Sequence, residues 1–122
     1  MYEITTESSF SAAHHLYNYG GPCENPHGHN WIVRATVACE KLDEIGIGID
    51  FRKLRTNLAA IVDELDHTDL NKVFNRVELN PSSENIARYI YEKLSESINE
   101  GARKVSRVEV IESPGSSAIY YE

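Results

Sequence analysis

Residues 2–12 alternate loosely between apolar and polar side chains and are rich in Thr, Ser, Ile and Phe, which predicts a strand ending just before His14. Alternation returns from His29 to Glu40, where Trp31, Val33, Ala35, Val37 and Cys39 keep period two and Arg34 and Thr36 take the opposite face. Between the two runs, Gly20-Gly21-Pro22 and Asn25-Pro26 mark Tyr17–Pro26 as a loop. The second run is therefore a long strand expected to lie antiparallel to the first.

Past a turn punctuated by Gly46 and Gly48, the period changes from two to about 3.6. Asp50 reads as the N-cap of a helix with the apolar stripe Phe51, Leu54, Leu58, Ile61, Val62 and Leu65, ending near Asp66-His67. Pro81-Ser82-Ser83-Glu84 opens a second helix with a cap and an acid in its first turn. Ile86, Ile90, Leu94 and Ile98 form its apolar face, and Glu100-Gly101 closes it. Val105–Ile111 and Ala118–Tyr121 read as short strands separated by Ser113-Pro114-Gly115. The order strand, strand, helix, helix, strand, strand predicts an α+β fold, a four-stranded antiparallel sheet with two helices on one face. Such a sheet has two exposed edges, and natural proteins rarely leave long edges bare, so a homo-oligomer is expected.

Composition narrows the class. A chain of 122 residues corresponds to one domain, 1–122, with a modest core. A net charge of −7 and the lack of any Lys/Arg run argue against nucleic acid or an anionic membrane as partner. No apolar run approaches a membrane span, and Met-Tyr-Glu-Ile does not resemble a signal peptide, so a cytoplasmic location is the default expectation. Two cysteines make no disulfide framework. Cys39, in an apolar stretch, reads as a small core residue.

The chemistry concentrates in one segment. His14, Cys23, His27 and His29 bring four metal-ligand side chains into a chain with five histidines and two cysteines. His27 and His29, two apart at the start of a strand, project from one face, and His14 can supply a third nitrogen if the two strands pair. Imidazole ligands suit zinc, and three protein ligands with one open position make a catalytic site. Cys23 can be read two ways. As a fourth ligand it closes a structural Cys-His-His-His site, and the protein is a non-catalytic zinc-stabilised binding module. As a base or nucleophile it stands beside an open metal.

Elsewhere, Asp66-His67 sits where a helix gives way to a loop and reads most simply as a capping histidine beside a solvated acid. Glu112 ends a strand before a Pro-Gly turn and alone reads as an exposed glutamate. Asp43, Glu44, Asp63, Glu64 and Glu78 read as solvated surface charges.

Taken together, Phe10-Ser-Ala-Ala-His14, Cys23-x-x-x-His27-Gly-His29, Ile49-Asp50-Phe51, Leu65-Asp66-His67-x-x-Leu70-Asn71, Pro81-Ser-Ser-Glu84-Asn85 and Val110-Ile-Glu112 resemble, in that order and nearly end to end, the 6-pyruvoyl tetrahydropterin synthase/6-carboxytetrahydropterin synthase family. The resemblance implies the tunnelling fold, with sheets joined edge to edge into a barrel, commonly in hexamers with sites between subunits. It implies that His14, His27 and His29 hold a catalytic Zn2+, that Cys23 is the general base polarised by Asp66 and His67, and that Glu112 anchors the pterin. A Cys separated by three residues from His-Gly-His resembles the bacterial enzymes that convert 7,8-dihydroneopterin triphosphate to 6-carboxytetrahydropterin, acetaldehyde and triphosphate on the queuosine route. Glu24 directly after Cys23 resembles a subgroup that cleaves the side chain to 6-hydroxymethyl-dihydropterin for folate, and both residues together resemble the subgroup proposed to do both. The pyruvoyl-forming branch generally spaces its Cys differently.

Overall fold

The computed structural model describes residues 1–74 and 80–122. Strand β1 runs Tyr2–His14 and β2 runs His27–Cys39, paired antiparallel in one unbroken register from Tyr2↔Cys39 to His14↔His27. Helix α1 (Phe51–Leu65) follows, then a two-residue strand β3 (Thr68–Asp69), a single helical turn α2 (Leu70–Val73) and helix α3 (Ser83–Ile98). Strands β4 (Lys104–Ser113) and β5 (Ser116–Tyr121) complete a sheet of order β3-β1-β2-β4-β5.

The α+β class and the two long helices agree with the sequence pattern, but the sheet differs from the expected one. It has five strands rather than four and is mixed, because β3 pairs parallel with Ala12 and Ala13 of β1. A two-residue strand is too short to carry any periodicity, which is why alternation does not reveal it. The first strand also extends through His14 and the second begins at His27. Pairing extends both strands to the point where their histidines face each other.

One face of the sheet is covered by α1 and α3. Leu54, Leu58, Val62 and Leu65 of α1 and Ile86, Ile90, Leu94 and Ile98 of α3 are buried against Phe10, Trp31, Val33, Val108 and Val110 of the sheet. Each fully buried Leu or Ile contributes about 1.5–3 kcal/mol relative to exposure. Phe51, counted in the apolar stripe, is instead 58% exposed, since it precedes the turn of α1 that reaches the sheet. Asp50 caps α1 by accepting from Arg52 N, and Ser82 caps α3 by accepting from Asn85 N, as the sequence predicts. Cys39 is buried in the core as expected. A methyl group at Gly48 would collide with its Sγ and stand 2.9 Å from Ile4 Cδ1, so the turn before α1 needs glycine there. Asp43, Glu44, Asp63 and Glu64 are exposed, and Glu78 lies outside the described residues. Among the described residues no helix is long and apolar enough to cross a membrane.

Candidate metal centre

The β1–β2 register pairs His14 with His27, Ala12 with His29 and Phe10 with Trp31. Side chains alternate across a strand, so these residues share the helix-covered face of the sheet. The three imidazoles stand edge-to-face, with centroids 4.5 Å apart for His14–His27, 4.9 Å for His27–His29 and 5.3 Å for His14–His29. Trp31 forms the floor, 5.0 Å from the His14 ring and 5.1 Å from that of His29, and is itself fully buried with Nε1 donating to the Ala12 carbonyl at 3.2 Å.

Glu112 joins them from β4. One ligand atom from each of His14, His27, His29 and Glu112 lies within 4.8 Å of all the others. The β4–β5 register gains a residue between Ile111↔Ser117 and Ser113↔Ser116, which makes Glu112 the extra residue of a bulge. Bulges re-aim side chains, and this one accompanies a carboxylate directed at the histidines. Glu112 is therefore not the plain exposed glutamate that its neighbours in sequence suggest.

The residues fit a metal. His14 Nδ1 lies 2.7 Å from the Pro81 carbonyl and His27 Nδ1 lies 2.7 Å from the Asn25 carbonyl. A carbonyl only accepts, so each Nδ1 carries the proton and each Nε2 is left with its lone pair, the arrangement found behind metal-bound imidazoles. Nε2 of His14 and of His29 are buried and make no hydrogen bond. An unsatisfied buried nitrogen costs about 1–3 kcal/mol, a cost that a shared cation would remove. The His14 pKa is lowered chiefly by burial and further by the neighbouring His27 and His29, against opposing contributions from the Pro81 carbonyl and Glu112. The neutral ring thus favoured is the form a metal binds.

Cys23 lies on a short 3-10 turn, Pro22–Glu24, and is not among the four side chains of that group. The closed Cys-His-His-His set is therefore not the arrangement found. Glu24 is exposed, and its Oε1 accepts from Gly20 N at 3.0 Å within the same loop. Asp66 caps α1, and its Oδ1 accepts from Ser11 N at 2.8 Å while Oδ2 lies 2.9 Å from His67 Nδ1. The Ser11 amide, with His67, holds its carboxyl below the usual range. His67 has φ 57° and a side chain 84% exposed, with its N–H donated to the Ser11 carbonyl. The pair is thus pinned to β1 through Ser11, with the His67 ring left facing solvent. Among the described residues no hydrogen bond joins Cys23 to Asp66 or His67 within the chain.

Several supporting residues escape a sequence reading. Pro81 and Ser83 read there only as the opening of a helix, yet the Pro81 carbonyl orients His14 and Ser83 Oγ donates to Glu112 Oε2 at 3.0 Å. Asn71 Oδ1 accepts from His15 N and its Nδ2 donates to His15 O, both at 2.9 Å. Asn80 clasps Tyr17 in the same way, at 2.8 and 3.1 Å. These amides imitate a strand partner for the start of the Cys23 loop. The only sequence signal for Asn71, Pro81 and Ser83 is their place inside the conspicuous motifs, and Asn80 lies just before one of them.

This is an α+β chain in which three histidines and a glutamate that could hold a metal ion converge beside the end of the sheet. The family model described as 6-pyruvoyl tetrahydropterin synthase matches residues 3–122, and the chain belongs to that family of enzymes. It is 37% identical over 126 residues to 6-carboxy-5,6,7,8-tetrahydropterin synthase from Synechocystis sp., covering 99% of this chain and 94% of that protein. It is 35% identical over 95 residues to dihydroneopterin monophosphate aldolase from Pyrococcus furiosus, covering 78% of this chain and 76% of that one. The solved structure of Caenorhabditis elegans 6-pyruvoyl tetrahydropterin synthase superposes with a TM-score of 0.84 at 29% identity, covering 100% of this chain and 97% of the other.

Proposed function

We propose that this protein is a zinc-dependent 6-carboxytetrahydropterin synthase acting on 7,8-dihydroneopterin triphosphate. The observation that carries the reading is the pair of buried, partnerless Nε2 atoms of His14 and His29 beside a third imidazole whose Nδ1 is tied to a carbonyl. The similarity to the Synechocystis synthase supports the choice of product.

His14, His27 and His29 would hold Zn2+, which supplies a Lewis acid for the hydroxyls of the substrate side chain. Glu112 binds the pterin by accepting two adjacent N–H donors of the pyrimidinone edge with its two carboxylate oxygens. Cys23 Sγ takes a proton from the substrate side chain and returns it as general base and acid. Asp66 and His67, pinned to the edge of β1, serve the Cys23 of a neighbouring chain, which accounts for the lack of a bond between them in one chain. The ring that would bring them together forms through the edges of the sheet. Among the described residues, β1 meets β3 only at Ala12 and Ala13, and β5 has β4 alone as neighbour. A cytoplasmic homohexamer, in whose rings the sheets join edge to edge into a barrel, is the assembly this reading favours.

Cleavage to 6-hydroxymethyl-dihydropterin is the second reading, supported by Cys23-Glu24 and by the similarity to the Pyrococcus aldolase. Incubating zinc-loaded protein with 7,8-dihydroneopterin triphosphate and identifying the products by mass spectrometry separates the two. The expected product is 6-carboxytetrahydropterin with acetaldehyde, reduced about 10²–10⁴-fold in Cys23→Ala as removal of a general base requires. Glu24→Ala should abolish any hydroxymethyl product and spare the carboxy product. No pterin product at all, or an undiminished rate in Cys23→Ala, refutes the reading.

A further inference from the structure

The geometry points to Thr68 as the positioning residue for Asp66 and His67: its hydroxyl locks the turn on which both stand, and its backbone fastens that turn to β1. The inference rests on the reading of Asp66 and His67 as partners of Cys23 and adds a residue to it. Thr68 falls on an unspecified position of the pattern Leu65-Asp66-His67-x-x-Leu70-Asn71, so the motif itself gives it no role.

Asp66 and His67 are the middle residues of a four-residue reversal that leads from α1 into β3. Asp66 has φ −67° and ψ 134°, and His67 has φ 57°. These are the signs of a type II turn beginning at Leu65, whose third residue takes a positive φ and is commonly glycine or asparagine. A histidine there carries the steric cost of its Cβ, so the left-handed backbone persists only where its surroundings impose it.

The surroundings do so at both ends of the turn. Leu65 is fully buried in the core, which fixes the first residue. Its carbonyl lies in the last turn of α1, beyond the reach of a helical amide, and Thr68 Oγ1 donates to it at 2.6 Å. That bond joins the first and fourth residues across Asp66 and His67. Thr68 also pairs with Ala12 as the first residue of β3, one position along β1 from Ser11, whose carbonyl accepts the His67 N–H at 2.6 Å. Thr68 therefore ties helix, turn and sheet together with one side chain and its own backbone.

The turn in its locked form sets both side chains. Asp66 Oδ1 accepts from Ser11 N at 2.8 Å, and Oδ2 lies 2.9 Å from His67 Nδ1. The imidazole, held on that side and 84% exposed, presents its other edge outward, where the Cys23 of a neighbouring chain is placed by the proposed function. Without the hydroxyl, the Leu65 carbonyl loses its partner and His67 is free to return to negative φ, which turns its ring away from Asp66. A displacement of about 1 Å in a group that handles a proton costs up to about 100-fold in rate.

The test compares Thr68→Val, which keeps the shape and removes the hydroxyl, with Thr68→Ser, which keeps the hydroxyl. Zinc-loaded proteins are assayed on dihydroneopterin triphosphate, and the Asp66 carboxyl is titrated by NMR with carbon-13 aspartate, its signal assigned from Asp66→Asn. Thr68→Val should lower kcat by about 10–100-fold with KM within about twofold, because the pair acts on proton transfer and not on pterin binding. The Asp66 titration should move up towards the ordinary carboxylate range as its contacts with Ser11 and His67 loosen. Thr68→Ser should restore both. Thr68→Ala removes the same hydroxyl and serves if Thr68→Val folds poorly. Unchanged kcat and unchanged Asp66 titration in a folded Thr68→Val or Thr68→Ala protein overturn the proposal, as does a loss confined to thermal stability. Failure of the enzymatic reading is a different result: wild type makes no pterin product, and the Asp66 titration alone then decides whether Thr68 sets the pair.

Discussion

Trp31 shows how a core residue becomes part of a site. It is fully buried, stacks 5.9 Å from Phe10 at an interplanar angle of 9°, and meets His14 and His29 edge-on with its other surface. Removing it leaves a cavity directly beneath the His14 and His29 rings. Trp31→Ala is expected to cost about 3–5 kcal/mol, read as a fall in chemical-denaturation midpoint, and to weaken metal binding as well. Asp66 supports a prediction with a defined sign. The Ser11 amide and His67 depress its pKa from an ordinary value of 3.8, so the folded protein binds the proton less readily than the unfolded chain. That stability is present above about pH 4 and is lost as pH falls through the depressed value in the folded state. Denaturant titrations below pH 4 should show a shallower loss of stability for Asp66→Asn than for wild type.

At the scale of elements, the β1–β2 connection is held less by its own residues than by α2 and the approach to α3. Asn71 and Asn80 each offer a paired donor and acceptor to alternate backbone positions, His15 and Tyr17, as a neighbouring strand would. The Leu16 amide then donates to the Cys23 carbonyl at 2.7 Å, carrying the order on to the thiol. Asn71→Ala or Asn80→Ala leaves backbone groups without partners, at about 1–3 kcal/mol, and loosens this loop. Alkylation of Cys23 by iodoacetamide, followed by mass spectrometry of its peptide, should accelerate in both variants while buried Cys39 stays protected. Equal rates in variants and wild type would show that the clasps do not govern the loop. The loop assignment, both long helices and both caps were legible from periodicity and turn residues. Strand β3 and the clasps were not, because they depend on partners far away in sequence.

At the scale of the whole molecule, the proposed function requires Cys23 to meet Asp66 and His67. The exposed His67 side chain and the sheet edges that only single neighbours cover favour an answer between chains. Cys23→Ala and His67→Ala should each be inactive alone. Unfolding and refolding them together should restore part of the activity, since mixed rings contain some intact composite sites. Light scattering on the same samples should give a multiple of the 13.8 kDa chain. A wholly inactive mixture of well-assembled rings would place the site within one chain.

The sequence by itself determined the reactive groups and the faces they occupy. Strict period two along β2 puts His27, His29 and Trp31 on one side, and the composition of the segment already marks imidazoles that could share a metal. Only the tertiary structure decided what meets them. The register brings His14 opposite His27, the start of α3 returns Pro81 to His14 across 67 residues, and a bulge in β4 delivers Glu112 to the same point. Local pattern follows from the backbone's own geometry and can be read along the chain. Contacts between distant residues are settled by how helices and strands pack around a shared core, and no spacing in the sequence encodes that distance.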